Sequence, residues 1–339
     1  MALIIPLFIP HEGCPHCCSF CNQHRISGRG EAVPPVTVEE IGTTIEKWLG
    51  YFRNKTDLPK VAFYGGSFTA LPLSRQAELL GAVAPFVAQG LVGSIHLSTR
   101  PDCLDEAGVD FLRDHGVRTV ELGVQSMDDR VLALNGRGHS ASHTREAIHL
   151  LRRKSMTIGV QLMTGLAGES RLSLMRTVRE VLTLEPDCVR IYPVLVLKGS
   201  LLEKMFLRGE YQPLSLDGAI VRATWMKKHF DRHGITVMRI GLQPGEDLES
   251  SLVAGPYHPA FGELVYGRLM LRQIRKLLTT GSSTSRVSLV ISPGDRSIFQ
   301  GVNRRNIRRL TELGLADRFT LRLDPRQPRM SLALSDQPQ

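Results

Sequence analysis

Four cysteines fall within the eight residues Cys14-Pro15-His16-Cys17-Cys18-Ser19-Phe20-Cys21. Thiolates are soft ligands suited to iron–sulfur clusters and zinc. Two ligand sets can be drawn from this string. Cys14, Cys18 and Cys21 form C-x3-C-x2-C. A cubane iron–sulfur cluster is normally held by four thiolates, so three leave one iron open. An open position is where a metal site does chemistry, whereas a closed site is usually structural. Alternatively, Cys14-x2-Cys17 and Cys18-x2-Cys21 supply four thiolates for a closed zinc tetrahedron. Either pair also has the spacing of a dithiol redox motif. From the string alone zinc is a serious rival. In the three-thiolate reading Cys17 is spare, and Cys103 and Cys188 fit ordinary semi-buried positions.

Other polar residues stand where strands are expected to end. Gly65-Gly66-Ser67 follows the strand-like VAFY. Paired glycines there let a ligand approach the backbone closely, although such a pair is usually a plain turn. Ser98 and Arg100 end a third strand, and Gln125 ends a fourth. Small hydroxyls and one arginine could hold a carboxylate or a ribose. Glu121 interrupts an apolar strand, either as a ribose ligand or as a paired interior carboxylate. Gln161 similarly interrupts IGVQLM. Phe20, between two cysteines, would shield a cluster or simply pack the loop. His229 and His233 are spaced i, i+4, but helix C-terminal placement beside Lys227 and Lys228 explains them equally well. Neither a P-loop nor a dinucleotide fingerprint is present.

Positioning these residues requires an alternating chain. Strands are expected at Leu3–Ile9, Lys60–Tyr64, Ser94–Thr99, Thr119–Val124, Thr157–Met163 and Cys188–Leu197, with helical segments between them. Right-handed crossovers would close them into a partial (β/α)6 TIM-type barrel of the α/β class. The cysteine loop, the glycine turn and Gln125 would then meet at the C-terminal ends of the strands. That clustering favours the open iron–sulfur site over zinc. Residues 1–235 are assigned to this barrel and 236–339 to a C-terminal α/β extension. Within the extension, Gly241–Phe261 reads as an ordered loop and Thr279–Ser285 as a flexible connector. A small β-α-β module follows. Its GVNR, Gly301–Arg304, is loosely like the GxxG loop of a KH module. Arg304, Arg305, Arg308 and Arg309 either track a phosphate backbone or form a solvated basic face.

The 339 residues carry a net charge of +9, which favours a polyanionic partner without requiring one. The 42% hydrophobic content supports a sizeable core and argues against global disorder. Crowded cysteines in a chain of this length indicate a metal site in a reducing compartment rather than a disulfide framework. The apolar start MALIIPLFIP lacks a basic region and a cleavage site, and no run is long enough for a membrane span. A cytoplasmic protein without membrane contact is expected.

The segments IPHEGCPHCCSFCNQHRISG, FYGGSFTALP, the stretch from STRPDCLDEAG to LNGRGHS, GVQLMTGLAGES and VRIYPVLVLKGSLLEKMFLRGEY extend the argument. Together, over about residues 4–213, they resemble the radical S-adenosylmethionine domain of the Elongator catalytic subunit, which modifies the wobble uridine of tRNA. More loosely they resemble oxygen-independent coproporphyrinogen oxidase. The resemblance implies a [4Fe-4S] cluster on Cys14, Cys18 and Cys21. It places Gly65, Gly66, Ser67 and Gln125 near S-adenosylmethionine, with Ser98, Arg100, Glu121 and Gln161 as further candidate contacts. It implies reductive cleavage of that cofactor to a 5′-deoxyadenosyl radical that abstracts hydrogen from substrate. An electron donor such as flavodoxin or ferredoxin is expected, and RNA, tRNA first, is the expected substrate. The alternatives are a porphyrin-type or other small substrate, or a non-catalytic zinc-stapled RNA-binding protein. No side chain is assigned as catalytic. Ser67 stands where such enzymes often carry an acidic residue, and GLAG where the Elongator-like pattern has GLPG. No acetyl-CoA domain is evident, so uridine carboxymethylation is not carried over.

Overall fold

The computed structural model describes residues 3–23, 26, 34–52, 57–280 and 286–335. Strand and helix alternate from the start: β1 (Ile4–Phe8), α1 (Val38–Tyr51), β2 (Lys60–Tyr64), α2 (Leu73–Ala88), β3 (Ser94–Thr99), α3 (Glu106–Asp114), β4 (Val117–Gln125), α4 (Asp129–Leu134), α5 (Ala141–Arg153), β5 (Thr157–Thr164), α6 (Arg171–Thr183) and β6 (Cys188–Pro193). Then come β7 (Val196–Leu197), α7 (Leu201–Leu207), α8 (Leu216–Arg232), β8 (Thr236–Ile240), α9 (Glu246–Ser251), β9 (Leu252–Ala254) and α10 (Phe261–Thr280). The chain continues through β10 (Val287–Ile291), α11 (Arg296–Gln300), α12 (Arg305–Glu312), β11 (Phe319–Leu323) and β12 (Ala333–Ser335). Several helices start on the side-chain caps their sequences provide. Thr37 and Glu40 form a reciprocal capping box on α1, and Ser170 accepts from the Ser173 amide on α6.

The main sheet is parallel, with seven strands in the order β1-β2-β3-β4-β5-β6-β8. It is a partial TIM-type barrel, one strand larger than the sequence implies. The seventh strand follows α8 as one more crossover unit. Val237 and Ile240 join the buried layer under the helices, and Arg239 lies in register with Arg190 of β6. The expected boundary at 235/236 therefore cuts a helix from its own strand. The change of core lies within α10 instead. Phe261 and Val265 belong to the barrel core, whereas Met270, Ile274 and Leu278 pack with Leu289, Phe299 and Leu310. That second core underlies a three-strand sheet ordered β11-β10-β12. Gly241–Phe261 is more than a loop, because α9 buries Leu248 and β9 pairs antiparallel with β7. Gly and Pro at its edges hid these short elements. Of the Thr279–Ser285 connector, α10 takes the first two residues, and 281–285 lie outside the described residues. Among the described residues no helix is long and apolar enough to cross a membrane.

A period of two decides what each strand does. One face is apolar and lies under the helices: Ile5 and Leu7, Val61 and Phe63, Ile95 and Leu97, Val120 and Leu122, Val160 and Leu162, Val189 and Ile191. The opposite face is largely polar. There the fully buried Glu121 of β4 is surrounded by neighbouring strands. Arg190 Nε donates to Glu121 Oε2 at 2.8 Å, and His96 Nε2 lies 3.2 Å from the same oxygen. Gln161 Nε2 donates to Oε1. Arg190 also donates to the Tyr64 hydroxyl at 2.6 Å, so the network touches five consecutive strands. Gly159 makes room for it, since a Cβ there would lie 3.0 Å from Glu121 Cγ. Burial opposes ionisation of Glu121, but His96 and Arg190 overcome it and hold its pKa below the usual carboxylate value.

Two outcomes follow from this interior. Leu97→Ala, in the buried apolar layer, should cost about 2–5 kcal/mol. Arg190→Leu leaves a buried carboxylate without its cation and should cost about 3–5 kcal/mol. Converting Glu121 to Leu as well should recover most of the Arg190→Leu loss, because no buried charge then remains uncompensated. Urea unfolding of the single and double variants measures both effects. Additive losses in the double variant would show that the two side chains do not act as a pair.

Candidate active site

At the C-terminal ends of the barrel strands lies a cavity of about 620 Å³, within the usual range for ligand pockets. Its wall is built from the inward positions of the strands, including Phe8, Tyr64, Ser98, Gly123, Gln161, Met163, Arg190, Tyr192 and Arg239. Its rim carries Cys14, Cys18 and Cys21 from the loop after β1. Cys17 does not line the cavity, so the structure separates it from the other three.

The cysteine loop is fixed by close backbone approach. The His11 amide donates to Gly65 O at 2.9 Å, and the Ser67 amide donates to Glu12 O at 2.9 Å. A Cβ on Gly66 would lie 2.4 Å from Glu12 O and 2.7 Å from Ile9 O, so only glycine fits there. On the other side, the Ser19 amide donates to Asn135 O at 3.0 Å, and Ser19 Oγ donates to Asn135 Oδ1 at 3.0 Å. The Leu202 amide closes the arrangement on Ser19 O at 2.7 Å. Phe20 lines the cavity and also packs against a cluster of Val131, Leu166, Val194 and Tyr211. The loop-packing reading of Phe20 is met by these contacts.

The donor set fits a cluster better than a single ion. One zinc requires all its ligands within about 2.3 Å of one point. Among the described residues, no three His, Cys, Asp or Glu side chains converge in that way. A cubane gives each thiolate its own iron corner, which suits three thiols spread along a cavity rim. Arg137 Nη1 donates to Cys18 Sγ at 3.0 Å, and its Nη2 donates to Gly123 O. A cation is therefore already aimed at a prospective thiolate. Burial, with the neighbouring thiols, pushes the Cys21 pKa up to about 12, so a metal must supply the drive for deprotonation. His139, beside Arg137 and Arg100, is held neutral, its pKa driven down to about 3 by burial and those cations.

The remaining sequence-predicted residues take distinct places. Gly65, Gly66, Ser67, Ser98, Arg100, Gln125 and Gln161 all border the cavity. Ser67 is fully buried, with its hydroxyl 3.2 Å from Thr99 Oγ1 and accepting from the Arg100 amide at 3.3 Å. It ties the glycine turn to the end of β3. The Arg100 guanidinium is committed to Asp102 through bonds of 3.0 and 2.8 Å. Gln125 has a left-handed backbone, φ 66°, and its buried Oε1 has no hydrogen-bond partner. Strain of this kind costs on the order of 1–3 kcal/mol and concentrates at ligand sites. Glu121 does not reach the cavity. It is the paired interior carboxylate, and it positions Arg190 and Gln161, which do. His229 and His233 bond the carbonyls of Trp225 and His229, as a helix C-terminal turn allows. Sequence reasoning missed Arg137, Tyr64, Arg190, Tyr192 and Arg239. For Arg190 and Tyr192 the signal was present as alternation with Cys188, which puts all three on one face of β6.

The model of the radical SAM superfamily matches residues 8–181, and that of the radical SAM C-terminal domain matches residues 186–270. The tRNA uridine(34) acetyltransferase of Dehalococcoides mccartyi is 38% identical over 178 residues, covering 47% of this chain and 39% of that protein. An uncharacterized protein of Methanocaldococcus jannaschii, MJ0486, is 30% identical over 214 residues, covering 60% of this chain and 64% of that one. The chain thus spans less than two thirds of the length of these relatives. The solved structure of Elp3 from Methanocaldococcus infernus, lacking its N-terminus, superposes with a TM-score of 0.64 at 24% identity. It covers 80% of this chain and 64% of that one and shares the fold. With the superfamily model covering more than half of its length, the chain belongs to the radical S-adenosylmethionine superfamily.

Proposed function

We propose that Cys14, Cys18 and Cys21 hold a [4Fe-4S] cluster, that S-adenosylmethionine binds beside it, and that the enzyme abstracts hydrogen from RNA, with tRNA as the substrate. When bound, the cluster and cofactor supply a 5′-deoxyadenosyl radical under reduction by a flavodoxin- or ferredoxin-type donor. The observation that carries the reading is the separation of three cysteines, which rim one cavity, from Cys17, which does not.

The chain's own groups then have definable tasks. Backbone atoms at Gly65 and Gly66 border the space next to Cys14 without a side chain in the way. The unpartnered Gln125 Oε1 can accept from an ammonium or hydroxyl group of the cofactor. Arg137 offsets negative charge on the Cys18 sulfur. Phe8, Phe20, Met163 and Leu195 supply apolar stretches of the lining, which help to exclude water from a reactive site. Tyr64, Arg190, Tyr192 and Arg239 also line the cavity and remain for substrate. The net charge of +9 supports RNA over a neutral substrate, as does the tRNA-modifying relative.

Anaerobic reconstitution with iron and sulfide, followed by dithionite and S-adenosylmethionine, should release 5′-deoxyadenosine. The Cys14→Ala, Cys18→Ala, Cys21→Ala triple variant should fall to background, whereas Cys17→Ala should stay within about twofold of wild type, its thiol being no cluster ligand. Equal loss in Cys17→Ala would overturn the ligand assignment. A colourless protein with stoichiometric zinc and no product would favour the zinc-stapled reading. Gln125→Ala should weaken cofactor binding by roughly 5–30-fold, the value of one lost hydrogen bond of about 1–2 kcal/mol. Equilibrium dialysis of S-adenosylmethionine checks it.

A further inference from the structure

The described basic side chains outside the cavity are not evenly spread. On α10, Arg268, Arg272, Arg275 and Lys276 recur at three- and four-residue intervals, which places them along one side of the helix. On α8, Lys228 and Arg232 are i, i+4. The two helices pack together, and α12 packs on α10. Asn306 Nδ2 donates to Gly267 O at 2.9 Å and so pins α12 beside Arg268. Arg305 Nη2 donates to Asp217 Oδ1 at 2.7 Å and so pins it to the start of α8.

These stripes lie close enough to feel one another. The Lys228 pKa is lowered by Arg232 and then, after some burial, by Arg272 and Lys276 across the helix pair. Burial lowers that of Arg268, with Arg272 and Arg305 adding to the effect. Among the described residues, Lys228, Arg232, Arg268 and Arg272 make no ion pair. Asp217 is the carboxylate that acts on Arg268 and pairs with Arg305, so the cations remain in excess, and an anion relieves their repulsion. The patch extends about 12 Å along α10 alone, from Arg268 to Lys276 at about 1.5 Å per residue.

We propose that α8, α10 and the start of α12 form one phosphate-binding face, separate from the cavity, that docks the backbone of an RNA. The identification of the polyanion as RNA rests on the reading under Proposed function; the face itself rests on the charge geometry. The partner is unlike a membrane or a folded protein. Among the described residues, the only large apolar side chain exposed on either α8 or α10 is Val221, so these helices offer no broad apolar anchor for lipid or for an apolar interface core. Guanidinium groups suit phosphates, which they contact through paired N–H donors. The face also straddles the change of core within α10. An RNA held there bridges the barrel and the C-terminal module, beyond residue 270 where the superfamily models stop.

The test is binding of unfractionated tRNA by the full chain, followed by fluorescence anisotropy between about 50 and 200 mM salt. Lys228→Ala, Arg232→Ala and Arg272→Ala together should reduce the slope of log K against log salt by roughly 2–3, the value of three phosphate contacts. Affinity should fall roughly tenfold or more, while RNA-independent release of 5′-deoxyadenosine stays at the wild-type level. Arg272→Glu alone should weaken binding in the same direction, and the charge-keeping Lys228→Arg, Arg232→Lys, Arg272→Lys variant should retain the slope. An unchanged slope in both charge-removing variants, with wild type binding tightly, would overturn this face and leave the RNA reading standing. No tRNA binding by wild type would overturn both. If the charge-removing variants lose binding to phosphatidylserine vesicles but keep it to tRNA, the face belongs to a membrane and the proposal fails.

Discussion

The buried carboxylate of Glu121 sets the terms for the inner face of the barrel. An ionised group at zero exposure is tolerable only when its oxygens are satisfied. Here Arg190, His96 and Gln161 do so from three other strands. Their side chains must then turn inward, and the strand period forces every second neighbour inward with them. That alternation leaves apolar residues for the helices on one face and a polar wall on the other. Tyr64 is drawn into the same arrangement through Arg190. One charge in β4 thereby aligns groups on β2, β3, β5 and β6 around a single cavity.

A second constraint acts at the mouth. The loop carrying the cysteines follows β1 and has little regular structure of its own, yet it is held from both sides. The glycine turn after β2 meets it through amide–carbonyl bonds that leave no room for a Cβ at Gly66. The turn before α5 meets it near Cys17, where a Cβ on Gly136 would lie 3.0 Å from Cys17 O. Cys17 is engaged there by its backbone, while Cys14, Cys18 and Cys21 face the cavity. Which thiols border the cavity is thus set by what packs against the loop rather than by spacing.

This explains which parts were legible from the residues. Local periodicity gave the first six strands, because buried parallel strands read as short apolar runs between helices. The glycine turn, Ser67 and Gln125 were visible because they stand at strand ends. Thr236–Arg239 was legible as a strand too, but not as the seventh strand of the barrel, because only its parallel pairing with β6 places it there. Arg137 was hidden for a related reason. Its reach to Cys18 spans 119 positions of chain, and no local pattern encodes such a contact. Glu121 stood out as an anomaly, but whether it faced a ligand or a partner depended on Arg190 and His96, which lie on other strands.

α10 joins these themes at the other end of the molecule. Its first half completes the barrel core with Phe261 and Val265, and its second half starts another core with Met270 and Ile274. A helix continuous through both cores couples them more rigidly than a linker would, because moving one against the other would break buried packing on the same element. Asn306 strengthens the joint by bonding Gly267 O, Ile298 O and Phe299 O from within the second module. The basic residues of α10 occupy the side of the helix that neither core uses, so their placement follows from the double burial of the other sides. A partner that binds this face meets two modules held in fixed relation, and the distance from that face to the cavity is set by the barrel and not by a flexible connection.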